Sequence, residues 1–328
     1  MPVSKQILLA SLAALAFSVG IEAYTVSPAL TLTQGRNHTC ALQPKITSCE
    51  NTTAVTADTC CTVNSLSLVT QFWSIYTGRE SSGQVLPKSA WTAHGVWPDF
   101  CDGTYPSYCD LSRQYDPSPS PNKTDNGQFI PDFTGGDIST PILEYFGKYD
   151  LLAWMNKYWI AQNQPNYEFW QHEFSKHATC FSSFDTGFNG TNNCYGVTYQ
   201  EGEDLVDFYE TAALHYLKYP TFDWLSAANI VPSNTTTYKL SQIQDALTKA
   251  SGALPYIGCS GNRTANGRTV ISEVWYYGHH VGKVASGTTN ELQEVKIEGM
   301  VLLLSCSKRI LWSRIRLPEG GLAILVVE

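Results

Sequence analysis

The amino-acid sequence predicts one α+β domain stapled by disulfide bonds. Three observations support this fold class. Strand-like stretches occur among stretches with helical spacing, the ten cysteines are even in number, and no internal repeat or low-complexity linker divides the chain. With 328 residues and 43% hydrophobic residues, the chain is also long enough to bury a sizeable core.

The first 23 residues have the features of a secretory signal peptide. Lys5 supplies the positive charge, residues 7–19 the apolar run, and residues 21–23 a cleavage site with small residues. The run is too short for a membrane-spanning helix, although a retained amino-terminal anchor is the alternative. Residues 24–61 are polar and rich in cysteine, and they predict a loop region held by disulfides.

Strand and helix patterns then follow along the chain. Alternating apolar residues predict strands at residues 65–74, 91–97 and 269–277. Helical spacing predicts helices at residues 141–160 and 204–219.

Capping and turn residues complete the prediction. The run 241–244, with Ser241 and Gln244, has the form of a capping box and opens a short helix that Gly252 closes. Pro, Asn, Asp and Gly in residues 116–136 predict a long surface loop. Residues 299–328 mix apolar runs with basic residues, which argues against a membrane span and leaves a terminal strand or a sequence-specific extension open.

Secretion favours disulfides as the state of the cysteines. Adjacent Cys60 and Cys61 are expected to have different partners, and the absence of C-x-x-C pairs argues against a zinc cluster. The disulfide candidates are Cys40, Cys49, Cys60, Cys61, Cys101, Cys109, Cys180, Cys194, Cys259 and Cys306. Six sequons predict glycosylation at Asn37, Asn51, Asn122, Asn189, Asn234 and Asn262.

The chain is acidic, with a formal net charge of -8. This argues against tight, nonspecific binding to a polyanion, which normally rests on a basic surface. It leaves room for a brief catalytic encounter in acid, where carboxylates lose their charge.

The segment WQHEFSKHATC, residues 170–180, resembles the zinc-peptidase motif H-E-x-x-H at first sight. In that motif the two histidines are four residues apart and share one face of a helix. Here His172 and His177 are five apart, which on an ideal helix separates them by roughly 140°. No clear third ligand follows, so we expect no metal.

A second histidine cluster, WTAHGVWPD at residues 91–99, places His94 between two tryptophans on a predicted strand. Two histidines suffice for acid and base work near neutral or mildly acid pH, and a third with a lysine suits an anion that gains charge in its transition state. The set contains no good nucleophile. This combination indicates a substrate that supplies its own, as RNA does with its 2′-hydroxyl.

These two segments resemble the active-site segments of the ribonuclease T2 family, secreted and broadly base-tolerant endoribonucleases with the patterns W-T-x-H-G-L-W-P-D and F-W-x-H-E-W-x-K-H-G-T-C. The similarity extends from about residue 40 to residue 282 and includes the fungal ten-cysteine layout. The resemblance implies a central, mainly antiparallel sheet flanked by helices, an RNA substrate, and a reaction without metal or cofactor. We expect a monomer with no membrane contact after signal removal, secreted to the exterior or delivered to a vacuole or lysosome.

The resemblance also implies a role for each catalytic candidate. His177 takes the proton of the 2′-hydroxyl, and His94 protonates the departing 5′-oxygen. His172 holds the phosphate, while Glu173 and Lys176 stabilise the transition state. The products are 2′,3′-cyclic phosphates and then 3′-phosphates. The base-binding candidates are Trp97, Asp99, Tyr105 and Phe169, and aromatic stacking accounts for low base specificity.

Three departures from the family pattern qualify this interpretation. Phe174 replaces a tryptophan, and Ala178 stands where the family has glycine, which costs about 1 kcal/mol if that backbone needs a positive φ. The resemblance fades after residue 285, and it implies that Cys306 must be the partner of Cys259.

We therefore expect a signal peptide at 1–23, a catalytic domain at 24–285 and an atypical tail at 286–328. The alternative function is a catalytically impaired secreted glycoprotein that binds a partner. A zinc hydrolase is the third possibility.

Overall fold

One sheet of seven strands runs through the part of the chain that the computed structural model describes, residues 40, 46–49, 58–63, 65–187, 192–260, 269–284, 293–294, 306 and 309–311. In chain order the strands are β1 (Leu66–Phe72), β2 (Thr92–Asp99), β3 (Thr237–Lys239), β4 (Tyr256–Ser260), β5 (Thr269–His279), β6 (Gln293–Glu294) and β7 (Arg309–Leu311). Their order is β2-β1-β5-β7-β3, and β4 and β6 also pair with β5. Only the β5–β7 pairing is parallel among those described.

Two groups of helices pack against this sheet. In chain order the helices are α1 (Ser139–Tyr145), α2 (Tyr149–Tyr158), α3 (Asn166–Lys176), α4 (Glu203–Lys218), α5 (Thr221–Ala227) and α6 (Leu240–Ser251). Helices α1 to α4 share one apolar core with β2, and α5 and α6 share another with β4 and β5. The expected single α+β domain with a mainly antiparallel sheet is confirmed. Among the described residues, no helix is long and apolar enough to cross a membrane.

The predicted strands and the helix at 204–219 are present. The prediction of one continuous helix at 141–160 is wrong. The chain forms α1 and α2 with a break at Gly147, whose φ is +67°. The amide of Gly147 bonds to the Glu144 carbonyl at 3.0 Å, and that of Lys148 to the Leu143 carbonyl at 2.8 Å. A left-handed glycine with such bonds ends a helix, and helical spacing on either side does not register it.

The predicted cap of α6 is displaced by two residues. The helix begins at Leu240, and the side-chain oxygen of Gln242 accepts the amide of Lys239 at 2.9 Å. Ser241 therefore lies inside the helix rather than at its cap. The predicted end is confirmed, since Gly252 has a φ of +91°.

Strand β1 lies inside the sheet between β2 and β5, and residues 67–71 are buried. Two of its polar side chains bond within the protein: the Gln71 amide donates to the Tyr219 carbonyl at 2.8 Å, and the Thr70 hydroxyl donates to the Gly95 carbonyl at 3.1 Å. Such bonds offset the cost of burying polar groups in a central strand.

All ten cysteines are paired. The bridges are Cys40–Cys61, Cys49–Cys101, Cys60–Cys194, Cys109–Cys180 and Cys259–Cys306. Adjacent Cys60 and Cys61 have different partners, and Cys306 is the partner of Cys259. Beyond that bridge, β7 lies beside β3 and β5 and extends the sheet.

Several predictions lie outside the described residues, including the signal peptide, most of the tail, and the sequons at Asn37, Asn51, Asn189 and Asn262. Asn122 and Asn234 are described, and both are exposed. Exposure is what glycosylation at these two positions requires.

Candidate active site

The two histidine segments meet where β2 passes the carboxyl-terminal end of α3. Trp97 on β2 contacts two imidazoles: its ring centroid is 4.6 Å from that of His94, edge to face, and 4.8 Å from that of His177, nearly parallel. The Trp97 indole donates to Oε2 of Glu173 at 2.8 Å. The other oxygen of Glu173 is 3.6 Å from Nε2 of His94.

His94 occupies a β-bulge. The β1–β2 register passes from Thr70 opposite Gly95 to Gln71 opposite Ala93, so His94 faces no residue of β1. The Thr70 hydroxyl fills the gap, accepting from the Gly95 amide and donating to the Gly95 carbonyl, each at 3.1 Å. Bulges of this kind re-aim a side chain.

Two further contacts hold His94. The indole of Trp159 donates to its carbonyl at 2.8 Å. The imidazole stacks on Phe72 with ring centroids 3.7 Å apart. Neither Thr70 nor Trp159 has a signal in the sequence, because both act through the backbone of the bulge.

Gly95 lets Glu173 approach the strand. A Cβ at this position would lie 1.9 Å from Oε2 of Glu173 and 2.8 Å from the Trp97 indole nitrogen. Because real Cβ atoms do not approach other atoms this closely, any other residue here would displace the carboxyl group.

His177 lies just beyond the end of α3, with φ −113° and ψ −48°. Its departure from the helix brings its ring centroid to 6.4 Å from that of His172. The helix on which the expected angular separation rests ends at Lys176, and the 6.4 Å between the ring centroids brings both imidazoles into one site. One ligand atom each of His172, Glu173 and His177 lie within 4.8 Å of one another, a spacing that a metal ion could use.

Burial controls the charges at this site. Burial lowers the pKa of His94 and of His177 well below the usual value, and the positive charges of His172 and Lys176 lower both further. Burial raises the pKa of Glu173 to about 7. In mildly acid solution the carboxyl group is therefore neutral, and it can donate a hydrogen bond as well as accept one.

The third imidazole, His172, contacts a residue that the sequence did not single out. Its Nδ1 lies 2.6 Å from Oδ2 of Asp116, which also accepts from the Tyr108 hydroxyl at 2.7 Å. The expectation of a surface loop at 116–136 is wrong at these points, since Asp116 is 2% exposed and Ile130 is fully buried.

The base-binding candidates have different surroundings. Phe169 lies 5.7 Å from His94 and 6.4 Å from Phe72 between ring centroids. Asp99 is buried at the end of β2, and burial raises its pKa to about 7. Tyr105 is 69% exposed.

The two substitutions beside the site fit the fold. Ala178 has no positive φ, so glycine is not required there, and its methyl group is buried in the helical core. Phe174 is fully buried and packs edge to face on Phe208, with centroids 6.0 Å apart. Ala178 therefore does not have the backbone strain that a positive φ would cause.

A site with three imidazoles, a neutral carboxyl group and a lysine is suited to acid–base chemistry on an anion.

The model of the Ribonuclease T2 family matches residues 64–295. Ribonuclease Trv of Hypocrea rufa is 35% identical over 241 residues, covering 73% of this chain and 85% of that protein. Ribonuclease T2-like 1-A of Candida albicans is 36% identical over 231 residues, covering 70% of this chain. This match spans only 49% of that relative's length.

Among solved structures, the crystal structure of Actibind, described as a T2 ribonuclease, has a TM-score of 0.59 at 31% identity. The match covers 77% of this chain and 89% of that one. The chain belongs to the ribonuclease T2 family of endoribonucleases.

Proposed function

We propose that this protein is a secreted endoribonuclease that cleaves single-stranded RNA without a metal, by transfer of the phosphate to the 2′-hydroxyl, and with low base specificity. The observation that carries the proposal is that His94 and His177 both contact Trp97, with the Glu173 carboxyl group 3.6 Å from His94 and within 4.8 Å of a His177 ring nitrogen. Two imidazoles from separate elements can serve the attacking and leaving oxygens of one phosphodiester.

In the first step His177 removes the proton of the 2′-hydroxyl as the 2′-oxygen bonds to phosphorus. The bond from phosphorus to the 5′-oxygen breaks, and His94 protonates that oxygen. The lowered pKa of His177 supports its role, because the base stays neutral in mildly acid solution. The pKa of His94 is lowered as well, so its role as acid depends on the bound phosphodiester, whose negative charge favours the protonated imidazole. In the slower second step, water attacks the cyclic phosphate and the two roles reverse.

Glu173 stabilises the transition state in its neutral form. An ionised carboxylate would repel the phosphate, but burial keeps this group protonated up to about pH 7. With Oε2 accepting from Trp97, Oε1 remains to donate toward a phosphate oxygen. His172 and Lys176 supply positive charge for the phosphate as it gains charge.

Low base specificity follows if the bases are bound mainly by stacking. Phe169, beside His94, offers an aromatic ring near the site, and stacking tolerates every base. Secretion is supported by the predicted signal peptide and by five disulfides, which are typical of oxidising compartments.

The test is cleavage of total RNA at about pH 5 in EDTA, near the range where histidines titrate. We expect acid-soluble products that carry 2′,3′-cyclic phosphates by mass spectrometry. His94→Ala and His177→Ala should each abolish them. Full activity of either variant would contradict the assigned roles.

Two other outcomes would favour the other functions. Loss of activity in EDTA and its recovery with zinc would favour a metal held by His172, Glu173 and His177. No nucleotide release from correctly bridged protein would favour a glycoprotein that acts by binding a partner.

A further inference from the structure

We infer that Asp116 is a positioning residue that orients His172 toward the phosphate, in an arrangement completed by Tyr108. The inference rests on the proposed function, since it assigns His172 a phosphate to bind. Asp116 lies between the short turn Leu111–Arg113 and α1, 56 residues before His172. It belongs to neither of the two histidine segments.

The Asp116 carboxyl group is surrounded by hydrogen-bond donors. Oδ2 contacts Nδ1 of His172 at 2.6 Å and the hydroxyl of Tyr108 at 2.7 Å. Oδ1 accepts the amide of Ser118 at 2.8 Å. Asp116 and Tyr108 are each 2% exposed, so water does not compete for these bonds.

These contacts determine which nitrogen of His172 is available. Burial raises the pKa of Asp116, but the hydrogen bond and charge of His172 and the Tyr108 hydroxyl outweigh it, and the net pKa is lowered. An ionised carboxylate only accepts, so Nδ1 of His172 carries its proton. Nε2 is left for the substrate. When the ring is protonated, one N–H bonds to Asp116 and the other is free to donate to a phosphate oxygen.

The loop around Asp116 is held by the same helix that carries His172. The amide of Tyr115 donates to the Ser175 hydroxyl at 2.7 Å. The side-chain amide of Gln171 donates to the Tyr115 carbonyl at 3.0 Å. Gln171 and Ser175 lie on either side of His172 in α3, so the loop and the histidine are fixed in one frame.

Tyr108 is held as firmly on the other side of Asp116. Its φ of +50° is unusual for a residue other than glycine, and its amide bonds to the Lys176 carbonyl at 3.0 Å. The next residue forms the Cys109–Cys180 disulfide, which links this segment to the turn after α3. The phenol ring lies edge to face with His172, with centroids 6.4 Å apart.

Asp116→Asn tests the inference through binding of a nucleoside 3′-monophosphate, measured by calorimetry. We expect the dissociation constant to rise about tenfold, the lower end of the effect of removing carboxylates that orient metal-binding histidines. Affinity for the same nucleoside without phosphate should not change. Asp132→Asn is the matched control, because it removes an exposed carboxylate from the same loop and should leave both affinities unchanged.

A double-mutant cycle separates orientation from folding. In the His172→Ala background, Asp116→Asn should cause no further loss of phosphate affinity. An equal loss in both backgrounds would overturn the inference, as would unchanged phosphate affinity of Asp116→Asn in the otherwise wild-type chain.

A measurement on the wild-type chain does not depend on variants that fold. With ¹⁵N-labelled histidine, Nδ1 of His172 should carry a proton across the range of activity. A ring protonated only on Nε2 would overturn the inference. Any of these failures leaves the proposed function intact if the wild-type protein still cleaves RNA, whereas absence of cleavage would count against the function itself.

Discussion

The two segments that meet in the active site are held in different ways. The polar contacts that position His94, on β2, act on its backbone: the Thr70 hydroxyl and the Trp159 indole bond to main-chain atoms of residues 94 and 95 at the bulge, and the imidazole itself has ring contacts with Phe72 and Trp97. At the end of α3, His172 is held through its side chain by Asp116. The turn that follows is tied down by the Cys109–Cys180 disulfide.

This difference predicts different sensitivities. The strand half of the site, residues 91–99 on β2, should lose activity when atoms are added near its backbone, because the space there is already filled. The activity supplied by the helix half, residues 170–180 at the end of α3, should instead be sensitive to changes of charge and hydrogen bonding. Glu173 belongs to α3, but its carboxyl group contacts Trp97 and His94 of the strand half. It should therefore be sensitive to both kinds of change.

Gly95→Ala should have the largest effect. The new methyl group would lie 1.9 Å from Oε2 of Glu173 and 2.8 Å from the Trp97 indole nitrogen, so both groups must move. We expect kcat/KM for a dinucleoside monophosphate to fall by about 10³-fold, the scale of losing a general acid or base.

The control for this variant is Val96→Ala on the same strand, which removes buried methyl groups at a position paired regularly with Val69. It should lower the melting temperature with little change in kcat/KM. If Gly95→Ala kept wild-type activity, close approach of the Glu173 carboxyl group would not be needed for catalysis.

The helix half illustrates what the sequence predicts and what it does not. The sequence of segment 170–180 indicates that its histidines are catalytic, because several ionisable residues lie within a few positions of one another. The ideal-helix angle between His172 and His177 does not predict that their rings lie in one site, because α3 ends at Lys176 and His177 is its cap. The role of Asp116 cannot be predicted in the same way, because its contact with His172 joins residues 56 apart in the chain and depends on the path of a loop.

In the strand half, too, the sequence predicts some features and not others. Alternation predicts that residues 91–97 form a strand, and the α+β class follows from strands and helices that are strongly periodic. The bulge at His94 depends on the register between β1 and β2, which neither strand encodes alone. Gly147 divides a predicted helix for a related reason, because a single left-handed residue overrides the spacing on both sides.

Glu173→Gln should alter the pH dependence rather than abolish activity. Glutamine keeps an acceptor for Trp97 and a donor for the phosphate, so we expect kcat/KM at about pH 5 to stay within about tenfold of wild type. Wild-type activity should fall as pH rises through about 7, where Glu173 ionises. The variant should lack this part of the decline. Identical alkaline limbs would show that Glu173 does not titrate in the active range.

The same variant changes the pH dependence of stability. Because the folded pKa of Glu173 is raised above the unfolded value of about 4.3, its contribution is fully present below that value and is lost as pH rises through about 7. Urea unfolding between these limits should therefore show a smaller loss of stability in the glutamine variant. An equal loss in both proteins would indicate that other groups dominate.

Trp159→Phe should have a moderate effect on the strand half. It removes the hydrogen bond to the His94 carbonyl while most of the buried ring volume stays. We expect a loss of about 1–3 kcal/mol in unfolding free energy from the unpaired carbonyl. A several-fold lower kcat with little change in KM should accompany it. Trp154→Phe, in the same apolar core, is the control for volume and should leave kcat unchanged.

The smallest effect on activity should come from removing the Cys259–Cys306 bridge by Cys259→Ser with Cys306→Ser. This disulfide joins β4 to the segment before β7, in the core formed with α5 and α6 rather than the core beside the active site. We expect a loss of about 2–5 kcal/mol in stability but unchanged kcat/KM well below the melting temperature. Removing Cys109–Cys180 should lower kcat/KM as well, because that bridge ties the turn after His177 to Tyr108. Equal loss of activity from both pairs would mean that the site depends on the whole framework, and the separation of the two halves would not hold.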